Sequence, residues 1–346
     1  MGALGNSIGS LQTQPNYMFY RTAVELLKHA STRLICADVG SAAGVHPRFF
    51  EVRDRIDMIG FDADEDECRR LQAQARSGDR FVHAAIGRDG EDVVVELHKK
   101  RQTSSIYPTD MERVGRFPDA DRFTSQKTVR LKTVSLDAVC KAEKITGFDY
   151  LKVDTEGHEL AILEGYHGPL MMAEIEVNFH PFRKGLPLFD QVMSLMRSRG
   201  FLVADLRRTF WSPERTRDFN HYGAKGFLIF GDALFLLDPF ARETHQYLST
   251  PGLRAKYLAL LCVYGYAAEA LMVLDILADK KLAPQGEIGQ CRKIILAHSQ
   301  QNWRLEIGGL GRVMLLVEKL VRLPFSARAG LRVGRAAQSD REVGNY

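Results

Sequence analysis

The stretch YLKVDTEGHEL, residues 150–160, places Asp154, Glu156, His158 and Glu159 directly behind an apolar run. Carboxylates and histidines at the end of a buried strand can take a proton from a substrate, hold a cation, or start a helix. A second run, MMAEIEVNFH (171–180), ends in the same way with Glu176 and His180. Asp154, Glu156 and His180 are candidates for a general base, and Glu176 for a substrate contact. Asp154, Glu176 and His180 together would also suit a divalent metal that orients neighbouring hydroxyls, although their spacing matches no standard metal motif. Plainer roles stand beside these. Glu159 reads as a first-turn helix acid, His158 as a solvated residue at a helix start, Lys152 as the partner of a neighbouring acid, and His180 as a loop-capping histidine.

Such groups need a cofactor site, and the first apolar run supplies one. LICADVGSAAG (34–44) ends in Asp38, Gly40, Ser41 and Gly44. The glycines allow a sharp turn and a close backbone approach. The dinucleotide fingerprint would be G-x-G-x-x-G; here Ser41-Ala42 stands where the middle glycine would be. Asp38 would repel a pyrophosphate and attract an ammonium. S-adenosylmethionine carries an ammonium and no phosphate, so the residues favour it over a nicotinamide dinucleotide. Asp62, ending IDMIGFD, is placed to hydrogen-bond ribose hydroxyls, while Asp64 and Glu65 read as helix-start acids.

These residues need a scaffold, and the pattern provides a parallel sheet. Strands are expected at 34–39, 56–63, 80–87, 148–154 and 171–179, with two more in FLVADL and AKGFLIF. Helices are expected at 17–30, in GVHPRFFEVRD, in EDECRRLQAQAR, in HELAILEG and in PLFDQVMSLMRSRG. Alternation of this kind gives an α/β fold with helices on both faces of the sheet. DVVVEL (92–97) and TVRLKTVSL (128–136) read as an inserted β pair around a polar loop. That loop offers Ser104, Ser105 and Tyr107 to cofactor or sugar, and Trp211 could stack on a sugar face. Beyond residue 232 the pattern turns all-helical, with a hairpin turning at Gly265 and further helices in KIILAHSQQNWRLE and RVMLLVEKLVRL. The expected division is a flexible leader at 1–16, a catalytic domain at 17–232, a helical region with a basic end at 233–336, and a disordered tail at 337–346.

Composition excludes several classes. In 346 residues, 45% are apolar and 26% charged, with a net charge of +4. The charge is too small to argue for nucleic-acid binding. Five cysteines without a C-x-x-C read as reduced, packed thiols of a cytoplasmic protein. The N-terminus lacks the pattern of a signal peptide, and no stretch reaches the roughly 18 apolar residues of a membrane span. The basic amphipathic end at 311–336 offers peripheral contact with the inner face of an anionic membrane. The hairpin around Gly265 offers a homodimer contact.

The chain resembles the FkbM-type S-adenosylmethionine-dependent methyltransferases over about residues 34–205. The resemblance lies in ADVGSAAG, IGFDAD, FVHAAIG, the TSS of RQTSSIY, VSLDAV, and above all FDYLKVDTEGHELAILEG followed by AEIEVNFH. It implies a Rossmann-like class I methyltransferase fold, a mostly parallel seven-stranded sheet, and methylation of a hydroxyl on a sugar, glycan or glycosylated metabolite. It also implies cofactor contacts from Asp38, Gly40, Ser41, Gly44, Asp62, Ala63, Ala85 and Ser105. A lipid-linked glycan would suit the basic end as acceptor. Two alternatives stay open: a nicotinamide-dependent oxidoreductase, and a non-catalytic scaffold acting through its C-terminal helices.

Overall fold

The computed structural model describes residues 17–41, 44–213, 226–299 and 337–339. The expected leader, the helix in RVMLLVEKLVRL and the basic end at 311–336 lie outside the described residues.

In chain order the elements are α1 (Tyr17–His29), β1 (Leu34–Val39), β2 (Ile56–Asp62), α2 (Glu65–Ala73), β3 (Arg80–His83), β4 (Asp92–His98), α3 (Met111–Val114), β5 (Ser125–Lys132), α4 (Leu136–Glu143), β6 (Tyr150–Val153), α5 (Glu159–Glu164), β7 (Met172–Asn178), α6 (Phe189–Ser198), β8 (Phe201–Trp211), β9 (Phe227–Leu237), α7 (Arg242–Leu248), α8 (Pro251–Val263), α9 (Ala267–Asp279), α10 (Gln285–Ser299) and β10 (Ala337–Ser339). The main sheet runs β10-β8-β9-β7-β6-β1-β2-β3, and β4 with β5 forms a separate antiparallel pair. β3, β2, β1, β6 and β7 are parallel, whereas β9 is antiparallel to both β7 and β8. The strand order doubles back at β1, so β1 and β6 open a crevice at their carboxyl ends.

Local chemistry sets the helix starts. Asp64 caps α2 by accepting from the N–H of Asp66 and Glu67, and Ser135 caps α4 through Ala138 N. Pro251 sits in the first turn of α8, where its missing N–H costs nothing. The helix expected in GVHPRFFEVRD is instead two short 3₁₀ turns, Pro47–Phe49 and Arg53–Arg55. His46 Nδ1 caps the first turn, and Arg48 and Arg53 point inward to the buried acids Glu174 and Asp79. The run breaks between them at Val52, whose backbone (φ -103, ψ 9) leaves the helical region. The expected tail at 337–346 includes β10, which pairs with Thr209–Trp211 of β8.

Two apolar layers enclose the sheet. One face packs Ala37, Val39, Leu151, Val153 and Ile175 against α4, α5 and α6. The other packs Leu34, Cys36, Tyr150, Met172 and Leu234 against α1, α8, α9 and α10. β9 continues to Leu237, so the expected boundary at 232 falls inside a strand. The C-terminal helices are the second layer of the same core, joined to it as α1 is. All five cysteines are free and buried. Among the described residues no helix is long and apolar enough to cross a membrane.

Candidate active site

Strand register builds the site. Asp38 of β1, Lys152 of β6 and Glu174 of β7 lie side by side across three strands. Two residues further on, Glu176 pairs in register with Asp232 of β9, and Asp232 with Arg207 of β8. Side chains two apart share a face, so this polar row closes the carboxyl end of the face covered by α1 and α8.

Asp38 is buried, and its Oδ1 has no hydrogen-bond partner among the described residues. Burial raises its pKa to about 6, against the pull of Lys152. An orphaned buried carboxylate oxygen is costly, and a cationic ligand group would satisfy it. Gly40 follows at φ +89, its N–H bonded to Phe61 O. A Cβ there would lie 2.1 Å from the carbonyl oxygen of Asp154, so β6 can close on this turn only against glycine. Gly40→Ala is expected to destabilise the fold by on the order of 3 kcal/mol or more, from left-handed strain plus the clash. Calorimetric melting checks this, and an unchanged melting temperature would contradict it. Gly44, at φ +73, donates to Ser41 O. The Ser41 hydroxyl is buried, 3.4 Å from Phe61 O. At the end of β2, Asp62 Oδ1 accepts from Asp64 N at 2.8 Å. Ala63 O takes a contact from the His83 ring, and Ala85 O accepts from Val134 N.

The turn after β6 carries the carboxylates. Asp154 accepts from Lys152 Nζ at 2.7 Å. Glu156 adopts a left-handed backbone, φ +58, and its Oε2 accepts from Arg183 Nη2 at 2.6 Å. Burial, only partly offset by Arg183, pushes the Glu156 carboxyl up to about 7. Glu159 is buried and accepts from Thr155 N, the Thr155 hydroxyl and Gly157 N. It is thus a first-turn acid that also clamps the turn holding Glu156. Glu176 is buried, accepts no hydrogen bond among the described residues, and is held well above the usual carboxylate range by burial and then by Glu156, Asp154, Glu159 and Asp232. Burial likewise raises Asp232 to about 6, while Arg207 Nε donates to it at 2.7 Å. So many acids at one strand end cannot all ionise, and the group titrates together.

The expected roles of His158 and Trp211 change. His158 is buried, with neither ring nitrogen hydrogen-bonded among the described residues, and burial holds its pKa low. It packs over Gly87, where a Cβ would fall 2.3 Å from Nε2. Trp211 is buried among Phe117, Phe123, Phe182 and Phe230 and presents no face to a sugar. The Ser105 hydroxyl donates to Glu156 O at 2.6 Å and accepts from Tyr107 N, fastening the polar loop to the carboxylate turn. Ser104 Oγ accepts from His98 N. Tyr107 packs on Gly157, where a Cβ would lie 2.9 Å from its ring. His180 is half-buried beside the exposed Phe227 ring, with an unpartnered Nδ1 and a pKa lowered by burial and Arg113. Among the described residues no group of three or more His, Cys, Asp or Glu is placed to hold a metal ion. Asp154, Glu176 and His180 therefore form no such set.

Arg183, Arg207 and Asp232 escaped the sequence reading. For Arg183 the only available signal was its position, three residues past His180 in a strand-end loop.

Residues 38–203, just under half the chain, match a family model described as the methyltransferase FkbM domain. No curated protein matches the chain. Solved structures similar to it include a 1,6-didemethyltoxoflavin-N1-methyltransferase of Burkholderia thailandensis with S-adenosylhomocysteine bound, 12% identical, covering 66% of this chain and 81% of that one at a TM-score of 0.28. TrmK of M. capricolum, with the same product, is 11% identical and covers 78% and 96% at a TM-score of 0.30. The magnesium protoporphyrin IX methyltransferase of Synechocystis is 8% identical and covers 67% and 85% at a TM-score of 0.29. These likenesses are too distant to carry any statement about the present chain. Its fold class rests on the strand order and on the family match. Residues 38–203 are therefore a methyltransferase domain of the FkbM type.

Proposed function

We propose that the protein transfers a methyl group from S-adenosylmethionine to a hydroxyl oxygen of a sugar, glycan or glycosylated metabolite. The observation that carries the cofactor half is Asp38, a buried carboxylate with an orphaned oxygen beside the Gly40 turn. It would receive the cofactor's ammonium, and Asp62, with one oxygen already fixed by Asp64 N, would receive ribose hydroxyls. The cofactor supplies an electrophilic methyl on a sulfonium. The protein must then align a hydroxyl and accept its proton. Glu156 is the base we favour: its pKa near neutrality suits the task, and Arg183 and the Glu159-clamped turn fix its position. Asp154 is engaged by Lys152, and His180 is the second choice.

Thermal melting with S-adenosylmethionine, S-adenosylhomocysteine and a nicotinamide dinucleotide tests the cofactor. A ligand of the folded state at 100 times its Kd adds about 2.7 kcal/mol. Stabilisation by the dinucleotide alone would overturn the reading. Labelled cofactor with candidate sugars tests the acceptor.

Cofactor affinity should depend on pH. The Asp38 pKa is raised to about 6, and only the ionised form attracts an ammonium. Binding should therefore weaken as pH falls through about 6, approaching about tenfold per unit below it. Calorimetric titration of S-adenosylhomocysteine between pH 5 and 8 checks this, and Asp38→Asn should flatten the profile.

A further inference from the structure

Beside the carboxylate turn stands a lobe built from the 101–124 segment, the 179–187 loop and the ends of β8 and β9, with Phe123, Phe182 and Trp211 at its centre. Two guanidinium groups lie against it. Arg183 is 1% exposed; its carbon is 5.6 Å from the Phe123 ring centroid and 5.1 Å from that of Phe182. Nη2 serves Thr103 O and Glu156, whereas Nε and Nη1 are buried without partners among the described residues. Arg122 is half-buried, its guanidinium 4.8 Å from both the Phe123 and the Trp211 centroids. Its Nε is buried and unpartnered, and among the described residues the side chain forms no hydrogen bond and no ion pair. The acids whose charge reaches it are Asp119, Glu156 and Asp121. Asp119 is exposed and makes no ion pair among the described residues, Glu156 is taken by Arg183, and Asp121 is taken by Lys99.

Both guanidiniums thus lie against the Phe123 ring, and Arg183 alone of the two holds a carboxylate, that of Glu156. Unpaired N–H groups of a desolvated guanidinium are costly. The fold nevertheless holds Arg122 rigidly by stacking, which lowers the entropy lost when it captures a ligand. A guanidinium fixed in this way matches the oxygens of a phosphate or carboxylate. We propose that Arg122, backed by Arg183, receives an oxyanion carried by the methyl acceptor, so that the substrate is an acidic glycan bearing a phosphate or a carboxylate. This rests on the methyltransferase reading above and narrows its substrate class.

The test measures binding, without turnover, by saturation-transfer NMR and calorimetry on the full chain. The probes are glucose 6-phosphate, methyl glucuronide and methyl glucoside, each with and without S-adenosylhomocysteine. At least one charged sugar should bind about tenfold to a hundredfold more tightly than the neutral one. The tighter of the two identifies the oxyanion. Arg122→Gln should abolish that preference while leaving S-adenosylhomocysteine affinity intact, and Arg122→Lys should keep part of it. Equal binding of all three sugars, no binding of any, or a preference that survives Arg122→Gln overturns the proposal. The cofactor reading fails separately, if S-adenosylhomocysteine does not bind wild type.

Discussion

A chain ending at Leu237 is expected not to hold a native fold. Removing everything beyond β9 uncovers Leu34, Cys36, Tyr150, Met172 and Leu234 on one sheet face. It also deletes Tyr257, Leu258, Leu260, Leu261, Val263 and Leu274, all at most 1% exposed. At about 1.5–3 kcal/mol for each large apolar side chain, the loss exceeds the 5–15 kcal/mol that typically stabilises a domain. The polar contacts point the same way. Tyr264, just past α8, donates to Glu174 at 2.7 Å and lies 2.7 Å from the Tyr150 hydroxyl, while Arg48 meets the same Glu174 at 2.6 Å. Removing Tyr264 would leave Arg48 and Glu174 against a void beneath the cofactor turn. Soluble expression, near-ultraviolet circular dichroism and denaturant melting measure the result. A cooperative transition close to that of the full chain would show that the helices are dispensable. Leu274→Ala is the milder companion, expected to cost about 2–5 kcal/mol.

Glu156→Gln is expected to lower kcat by about 10²–10⁴ while leaving cofactor affinity nearly unchanged. The amide keeps the size and can still meet Arg183, but it cannot take a proton. In wild type the base must be ionised, so kcat/KM should rise with pH through about 7, the value to which burial raises this carboxyl. The variant should lose that limb. The neighbouring acids titrate as a group, so the limb belongs to the cluster and its removal identifies the member. If Glu156→Gln turns over like wild type while His180→Ala or Asp154→Asn is inactive, the base lies elsewhere in the crevice.

The sequence made the frame of this site legible, and the reasons are local. LICADVG and FDYLKVD are apolar runs closed by a glycine turn and an acid, and both are strands that end at the crevice. The Gly265 hairpin and the helix stop at Gly165 follow from the same local punctuation. What could not be read depends on distant partners. His158 looks solvated in sequence because nothing nearby announces Gly87 beneath it. Trp211 looks free because its aromatic neighbours Phe117, Phe123 and Phe182 come from other segments. Arg183 reads as loop charge because its carboxylate, Glu156, lies 27 positions away. The helix expected after β1 breaks at Val52, and its arginines turn inward to Glu174 and Asp79, acids of distant segments that the local pattern does not announce.

The strand order also dictates when the molecule can complete itself. β9 lies between β7 and β8 although it follows both in the chain, so β8 has no place in the sheet until β9 arrives. α1, near the start of the described chain, packs on α8 and α10, near its end. During synthesis, at about 5–20 residues per second, the edge of β7 stays unpaired until β9 has emerged, and one sheet face stays incompletely covered until α10 has. Long-range closure of this kind slows folding and exposes edges that pair with other chains. The nascent protein is therefore most prone to aggregation in the interval between β7 and α10, and a chaperone that shields apolar surface would act there.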